Sequence, residues 1–236
     1  MSTIATNIAK VGTRIREAAQ AVARDPDEVQ LLAVSKTQPA SAIRLANEAG
    51  QRDFGENYLQ EALEKQADLR DLSLTWHFIG PIQSNKTKLI AEHFDWVHSV
   101  DRLKIAQRLS DQRPPELPPL NVCLQVNVSG EGSKSGCDPQ EVTDLANEIA
   151  SLPNLRLRGL MAIPEPTDDP AKQRAAFAHL RQLQSKIDLE LDTLSMGMSQ
   201  DLEAAVAEGA TWVRVGTALF GARDYSLQPG SASPSA

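Results

Sequence analysis

The sequence predicts an α/β fold: a single (β/α)8 barrel with an extra helix ahead of the first strand. Three observations carry that prediction. Eight short runs of strand character recur along the 236 residues, and segments with helical spacing separate them. The length also suits one barrel, which commonly needs roughly 200–250 residues. An open doubly wound sheet shares the same alternation and is the competing architecture.

Taken in order, Ile4–Ala23 reads as the leading helix, placed to cover the bottom or side of the barrel. Strand one is the apolar run Leu31–Lys36. Ser41–Gly50 carries Ile43, Leu45, Ala46 and Ala49 at helical spacing and stops on a glycine. Strands two, three and four are Arg52–Glu56, Trp76–Gly80 and Trp96–Val100. The proline-rich Arg113–Pro119 is a stiff linker into strand five, Val122–Val128. Pro139–Leu152 places Val142, Leu145, Ala146 and Ile149 on one helical stripe, and strand six is Leu155–Ile163. Asp168 and Asp169 suit the positive end of the helix that follows. Its apolar stripe is Phe177, Leu180, Leu183 and Ile187, within Gln173–Ile187. Strand seven (Thr193–Met198), a helix over Leu202–Glu208 and strand eight (Val213–Val215) complete the pattern. Residues 1–226 form one domain on this reading, and the tail 227–236, rich in Pro, Gly, Ser and Ala, is expected to be disordered.

Composition narrows the function. A net charge of −7 argues against a nucleic-acid-binding face, which needs clustered basic residues. Aromatics are only 4% of the chain, so a sheet built on Val, Leu and Ala is expected rather than stacking platforms. The two cysteines do not make a disulfide framework, and the four histidines are scattered without metal-ligand spacing. No stretch has the length of a membrane span and the N-terminus has no apolar signal core, so a cytoplasmic location is expected.

A barrel gathers its chemistry at the C-terminal ends of its strands. Lys36 closes strand one, and Glu56 and Asn57 end strand two. His77 sits in strand three. Ser199 follows strand seven, and Gly216 and Thr217 follow strand eight. A lysine held at that mouth can lose its proton and attack carbonyl carbons. Alone, Lys36 reads more simply as the solvent end of an ordinary strand. The turns Met196–Ser199 and Arg214–Gly221 add a second signal, because barrels frequently bind phosphate after strands seven and eight. Arg214 and Arg223 are candidates for charge-assisted contacts with a phosphate or a ring nitrogen. Alternation in strand eight decides whether Arg214 faces inward. Gly130–Gly136 misses the P-loop spacing and reads as a polar loop.

The segments Val34–Lys36, Phe54–Tyr58, His77–Lys86, Gly159–Met161, Leu194–Ser199 and Val213–Thr217 together resemble the pyridoxal 5′-phosphate homeostasis protein family, itself similar to the N-terminal barrel of alanine racemase. That resemblance runs from strand one to about Asp224. It implies that Lys36 forms an aldimine with pyridoxal 5′-phosphate, that Asn57 lies near the ring hydroxyl, and that Ser199, Gly216 and Thr217 hold the phosphate. It further implies cofactor contacts at His77, Met198 and Arg214. The residues alone leave the carbonyl compound open; a sugar phosphate in a Schiff-base aldolase also fits, although strand six has no lysine in Arg158–Met161.

By the same resemblance the chain is a cofactor binder, buffering pyridoxal phosphate and delivering it to apoenzymes, without robust catalysis. Racemisation needs a second base opposite Lys36; alanine racemases supply a tyrosine from an added domain, and Tyr58 and Tyr225 are no obvious substitutes here. An amino-acid racemase-like enzyme is the alternative. A monomer is expected, since the added domain is the racemase's usual reason to pair.

Overall fold

In a computed structural model, which describes residues 2–130 and 135–221, the eight strands close on themselves. They are β1 (Gln30–Val34), β2 (Asp53–Glu56), β3 (Thr75–Phe78), β4 (Trp96–Val100), β5 (Leu120–Gln125), β6 (Leu155–Met161), β7 (Thr193–Ser195) and β8 (Trp212–Val215). All neighbours are parallel, and β8 returns to β1 with Leu32 opposite Arg214 and Ala33 opposite Val215. Closure excludes the open sheet and leaves no edge to protect.

The helices are α1 (Thr3–Ala21), α2 (Ala40–Glu48), α3 (Leu59–Asp68), α4 (Thr87–His93), α5 (Leu103–Gln112), α6 (Val142–Ala150), α7 (Pro170–Gln184), α8 (Leu202–Ala207) and α9 (Thr217–Phe220). Local chemistry sets their ends. Ser2 caps α1 by accepting from the Ala5 N–H at 3.2 Å. Asp169 caps α7, with Pro170 in the first turn where its missing N–H costs nothing. The α7 helix therefore begins three residues before the apolar stripe suggested. The strands are mostly shorter than expected for a different reason: side-chain patterning continues into loops that no longer pair.

α1 covers the side of the barrel rather than its bottom. It lies against α8, α9 and α2. Arg24, in the turn after α1, donates to the carbonyls of Val206 and Ala210 at 2.6 and 3.1 Å, satisfying the exposed end of α8.

Two cores result. The larger lies between strands and helices, where Phe54, Phe78, Val97, Leu124, Leu160 and Val213 meet residues such as Ile43, Ile90, Leu109 and Phe177. Each such side chain contributes about 1.5–3 kcal/mol by leaving water. The second fills the barrel's axis and is far more polar. Rings of His77, Trp96, His98 and Trp212 touch one another there, with His77 stacked on Trp96 at 5.5 Å and 11°. Among the described residues no helix is long and apolar enough to cross a membrane.

Candidate functional site

The strand ends converge on a cavity of about 480 Å³ at the C-terminal mouth of the barrel. Its wall includes Lys36, Asn57, Met198, Ser199, Arg214, Gly216 and Thr217. Seven residues expected from distant parts of the sequence therefore meet in one place.

Lys36 is half-buried and lies in the turn just beyond β1 rather than within the strand. The next residue, Thr37, has φ +63°, a left-handed conformation costly for a β-branched side chain. Neighbouring groups hold it there. The Thr37 N–H donates to Glu61 at 2.6 Å, while the Lys65 ammonium donates to the Ser35 carbonyl at 2.7 Å and to Glu56 at 2.8 Å. Lys65 also pairs with Glu61, and the Ser35 hydroxyl donates to Glu56 at 2.6 Å. Both residues flanking Lys36 are thus tied to one buried charge cluster on β2 and α3. Burial pushes the Glu56 carboxyl above the ordinary carboxylate range, against the pull of Lys65.

The adjoining wall is made by β7 and β8, with β8 paired directly to β1. Gly197 has φ +95°, and a Cβ there would stand 2.4 Å from the Ala205 methyl, so the turn packs directly on α8. The Arg214 N–H donates to the Gly197 carbonyl at 2.9 Å, tying that turn to β8. Asp201 accepts from the Met198 N–H at 2.6 Å, and the Ser199 carbonyl accepts from Arg14 of α1 at 3.0 Å. On the other side of β1, the backbone of Asn57 presses on Gly80, where a Cβ would lie 2.4 Å from the Asn57 carbonyl oxygen.

Arg214 resolves the question that alternation left open: it points into the barrel and is 4% exposed. It donates to Ser195 at 2.8 Å and to the Ala162 carbonyl at 2.9 Å. Burial lowers its pKa to about 10, partly offset by Asp201, so it stays charged at neutral pH.

His77 is elsewhere. It is fully buried one layer beneath the pocket, bonded to His98 and Asp53, and does not line the cavity. Its position within β3, rather than beyond its end, puts it below the mouth. Arg223, Tyr225 and the tail lie outside the described residues. Several wall residues were not anticipated: Gln38, Asp201, Gln173 and the segment after β6, from Ile163 to Thr167. All but Gln173 had a signal in the sequence, since they follow strand ends as the expected wall residues do.

The cavity fits a phosphorylated pyridoxal ring on its own chemistry. The Asn57 side-chain oxygen is buried and finds no hydrogen-bond partner among the described residues, as expected of an acceptor that meets a ligand hydroxyl. The same cavity is lined by two hydroxyl residues, Ser199 and Thr217, by the start of α9 and by one buried guanidinium. An amine completes the set.

The model of the alanine racemase N-terminal domain family matches residues 7–224. The pyridoxal phosphate homeostasis protein of Pseudomonas aeruginosa is 76% identical over 225 residues, which cover 95% of this chain and 98% of the relative. The chain belongs to the pyridoxal phosphate homeostasis protein family. Its relative of the same name in Escherichia coli K12 is 56% identical, with 96% of this chain and 99% of that one covered. A family member of known structure, PipY of Synechococcus elongatus with pyridoxal phosphate bound, is 46% identical and superposes with a TM-score of 0.78, covering 88% of this chain and all of that one (100%). Alanine racemase of Corynebacterium glutamicum, 20% identical with a TM-score of 0.68 over 97% of this chain and 64% of its own, shares the barrel fold.

Proposed function

We propose that this chain captures pyridoxal 5′-phosphate reversibly at Lys36 and acts in intracellular homeostasis of that cofactor, buffering it and passing it to apoenzymes. The observation that carries the reading is the meeting of Lys36 with Arg214, Ser199 and Thr217 around one cavity. When bound, pyridoxal phosphate supplies an aldehyde that condenses with a lysine amine, releasing water, together with a phosphate and a ring nitrogen. The chain's own residues do the rest. Lys36 presents the nucleophilic amine from a turn fixed on both sides. The Ser199 and Thr217 hydroxyls and the first N–H groups of α9 donate to the phosphate. Arg214 brings a positive charge, and Asn57 offers its unpartnered oxygen to the ring hydroxyl.

The same geometry supports retention over turnover. Among the described residues no tyrosine lines the cavity, and Tyr58 is 54% exposed outside it. A racemase-like reaction would need its second base from a group other than Tyr58. We place the protein in the cytoplasm as a monomer on this reading.

The test is an absorbance spectrum of the purified protein before and after borohydride reduction, followed by peptide mapping. A visible band that reduction fixes onto Lys36, and that Lys36→Ala abolishes, is the expected result. A colourless protein that gains no band with added pyridoxal phosphate refutes the reading. Steady racemisation of alanine by the loaded protein would instead favour the enzyme.

A further inference from the structure

The barrel's axis carries a continuous row of hydrogen bonds that ends at the cofactor pocket. Arg214 Nη1 lies 2.8 Å from Ser195 Oγ, and Ser195 Oγ lies 2.7 Å from His98 Nδ1. His98 Nε2 is 2.9 Å from His77 Nδ1, and His77 Nε2 is 3.0 Å from Asp53 Oδ1. Ser195, His98 and His77 are completely buried, whereas the Asp53 side chain is 27% exposed at the start of β2, the opposite end of the barrel.

The proton positions follow from both ends. Guanidinium groups only donate, so Ser195 accepts from Arg214 and its hydroxyl hydrogen is left to find an acceptor. The neighbouring His98 Nδ1 supplies one. From the other end, the Asp53 carboxylate only accepts, so His77 Nε2 carries the hydrogen. A neutral His77 then exposes a bare Nδ1, which requires the hydrogen on His98 Nε2 and again leaves His98 Nδ1 as an acceptor. Both arguments give one direction: Arg214 to Ser195 to His98 to His77 to Asp53.

We propose that Asp53, His77, His98 and Ser195 form a one-way hydrogen-bond relay that positions Arg214 and couples its charge to a carboxylate at the far end of the barrel. All four are positioning residues, since none lines the cavity. Arg214 has no carboxylate within ion-pairing distance among the described residues, and the relay gives its charge a polarised path to one. The rings must stay neutral for this. Burial lowers both histidines, His98 further through the charges of His77 and Arg214, while Asp53 and Asp95 oppose the effect at His77. A protonated His77 would donate to His98 and reverse that ring. Ser195 would then face two donors, and its own hydrogen would have no acceptor. Asp201 and Cys123 are the other titratable groups acting on Arg214.

The experiment has two arms, and the first needs no cofactor. Full-length protein carrying His93→Gln and His179→Gln, which removes the two histidines outside the row, is labelled with 15N-histidine. Long-range 1H–15N spectra then report the two remaining rings. Both should be neutral with the hydrogen on Nε2 across pH 6–8. A hydrogen on Nδ1 of either ring, or a charged ring in that range, overturns the relay.

The second arm rests on the pyridoxal phosphate reading and measures its dissociation constant by titration. Asp53→Asn keeps an acceptor near His77 but removes the charge, and Ser195→Ala cuts the row beside Arg214. Each should weaken binding by about three- to tenfold, with Ser195→Thr restoring it. The double variant should be no weaker than Ser195→Ala alone, because both changes interrupt one path. An unchanged affinity in Asp53→Asn, or effects that multiply in the double variant, refutes the coupling. Failure of every form to bind pyridoxal phosphate would refute the cofactor reading instead, with the tautomer result standing apart.

Discussion

Replacing Lys65 with methionine tests how the turn bearing Lys36 is held. The Lys65 side chain is 7% exposed and Glu56 not at all, so the change leaves a carboxylate inside the protein with its counter-charge gone. It also removes the donor to the Ser35 carbonyl and the partner of Glu61, which in turn accepts from the Thr37 N–H. Removing one member of a buried pair costs about 3–5 kcal/mol. In a chain of this size that lowers Tm by about 6–20 °C. The loss depends on pH, with a definite sign. Glu56 already titrates above its unfolded value because burial favours the neutral acid. Its native state therefore binds the extra proton, and stability falls as pH rises from the ordinary carboxylate range through the raised value. Without Lys65 that value rises further, so the deficit of Lys65→Met should be greatest at neutral and alkaline pH and shrink in acid. Adding Glu56→Gln, which removes the stranded charge, should recover more than half of the loss. Thermal unfolding at several pH values reads all of this. A Tm within about 2 °C of the parent, or a double variant no better than the single, would show that the cluster does not carry the charge balance described.

Three further outcomes follow from the pocket's walls and from the buried thiols. Ser199→Ala and Thr217→Ala should each weaken pyridoxal phosphate retention by about 0.5–1.5 kcal/mol, or up to about 3 for a bond to charged phosphate, measured by equilibrium titration; unchanged affinity would place the phosphate elsewhere. Gly197→Ala forces a side chain into a left-handed position and onto the Ala205 methyl, 2.4 Å away. It should cost about 1–3 kcal/mol in thermal unfolding and loosen the ligand by shifting Met198 and Ser199. Cys123 and Cys137 are both buried, and burial pushes each thiol to about 12. At pH 8 neither should react with an aromatic disulfide reagent until denaturant is added, and rapid labelling of the folded protein would contradict that burial.

Much of the fold was legible because parallel strands buried on both faces read as apolar runs wherever they occur. Trp96–Val100 needed no correction, and the order of all eight strands follows from such runs. Ends were harder. Whether a residue still pairs depends on its neighbour across the sheet, which a single chain cannot display, so Lys36 fell inside the expected strand and outside the real one. The pocket was legible by the same logic as the strands: six residues placed after strand ends reach the mouth, and Arg214, inside β8, joins them by facing inward.

His77 marks the limit of that logic. It occupies β3 on the barrel's axis, two residues before Ile79, which does line the cavity. Depth along the axis separates the two, and depth depends on how neighbouring strands are staggered. His77 stands opposite Gly55 and Trp96, low in the barrel, where it meets Asp53 rather than a ligand. Sequence position gave it the right direction and the wrong layer. The error is informative, because a buried polar residue in the wrong layer must still satisfy its hydrogen bonds. Here they lead through His98 and Ser195 to Arg214, so the histidine expected at the cavity is joined to its wall through two intervening side chains.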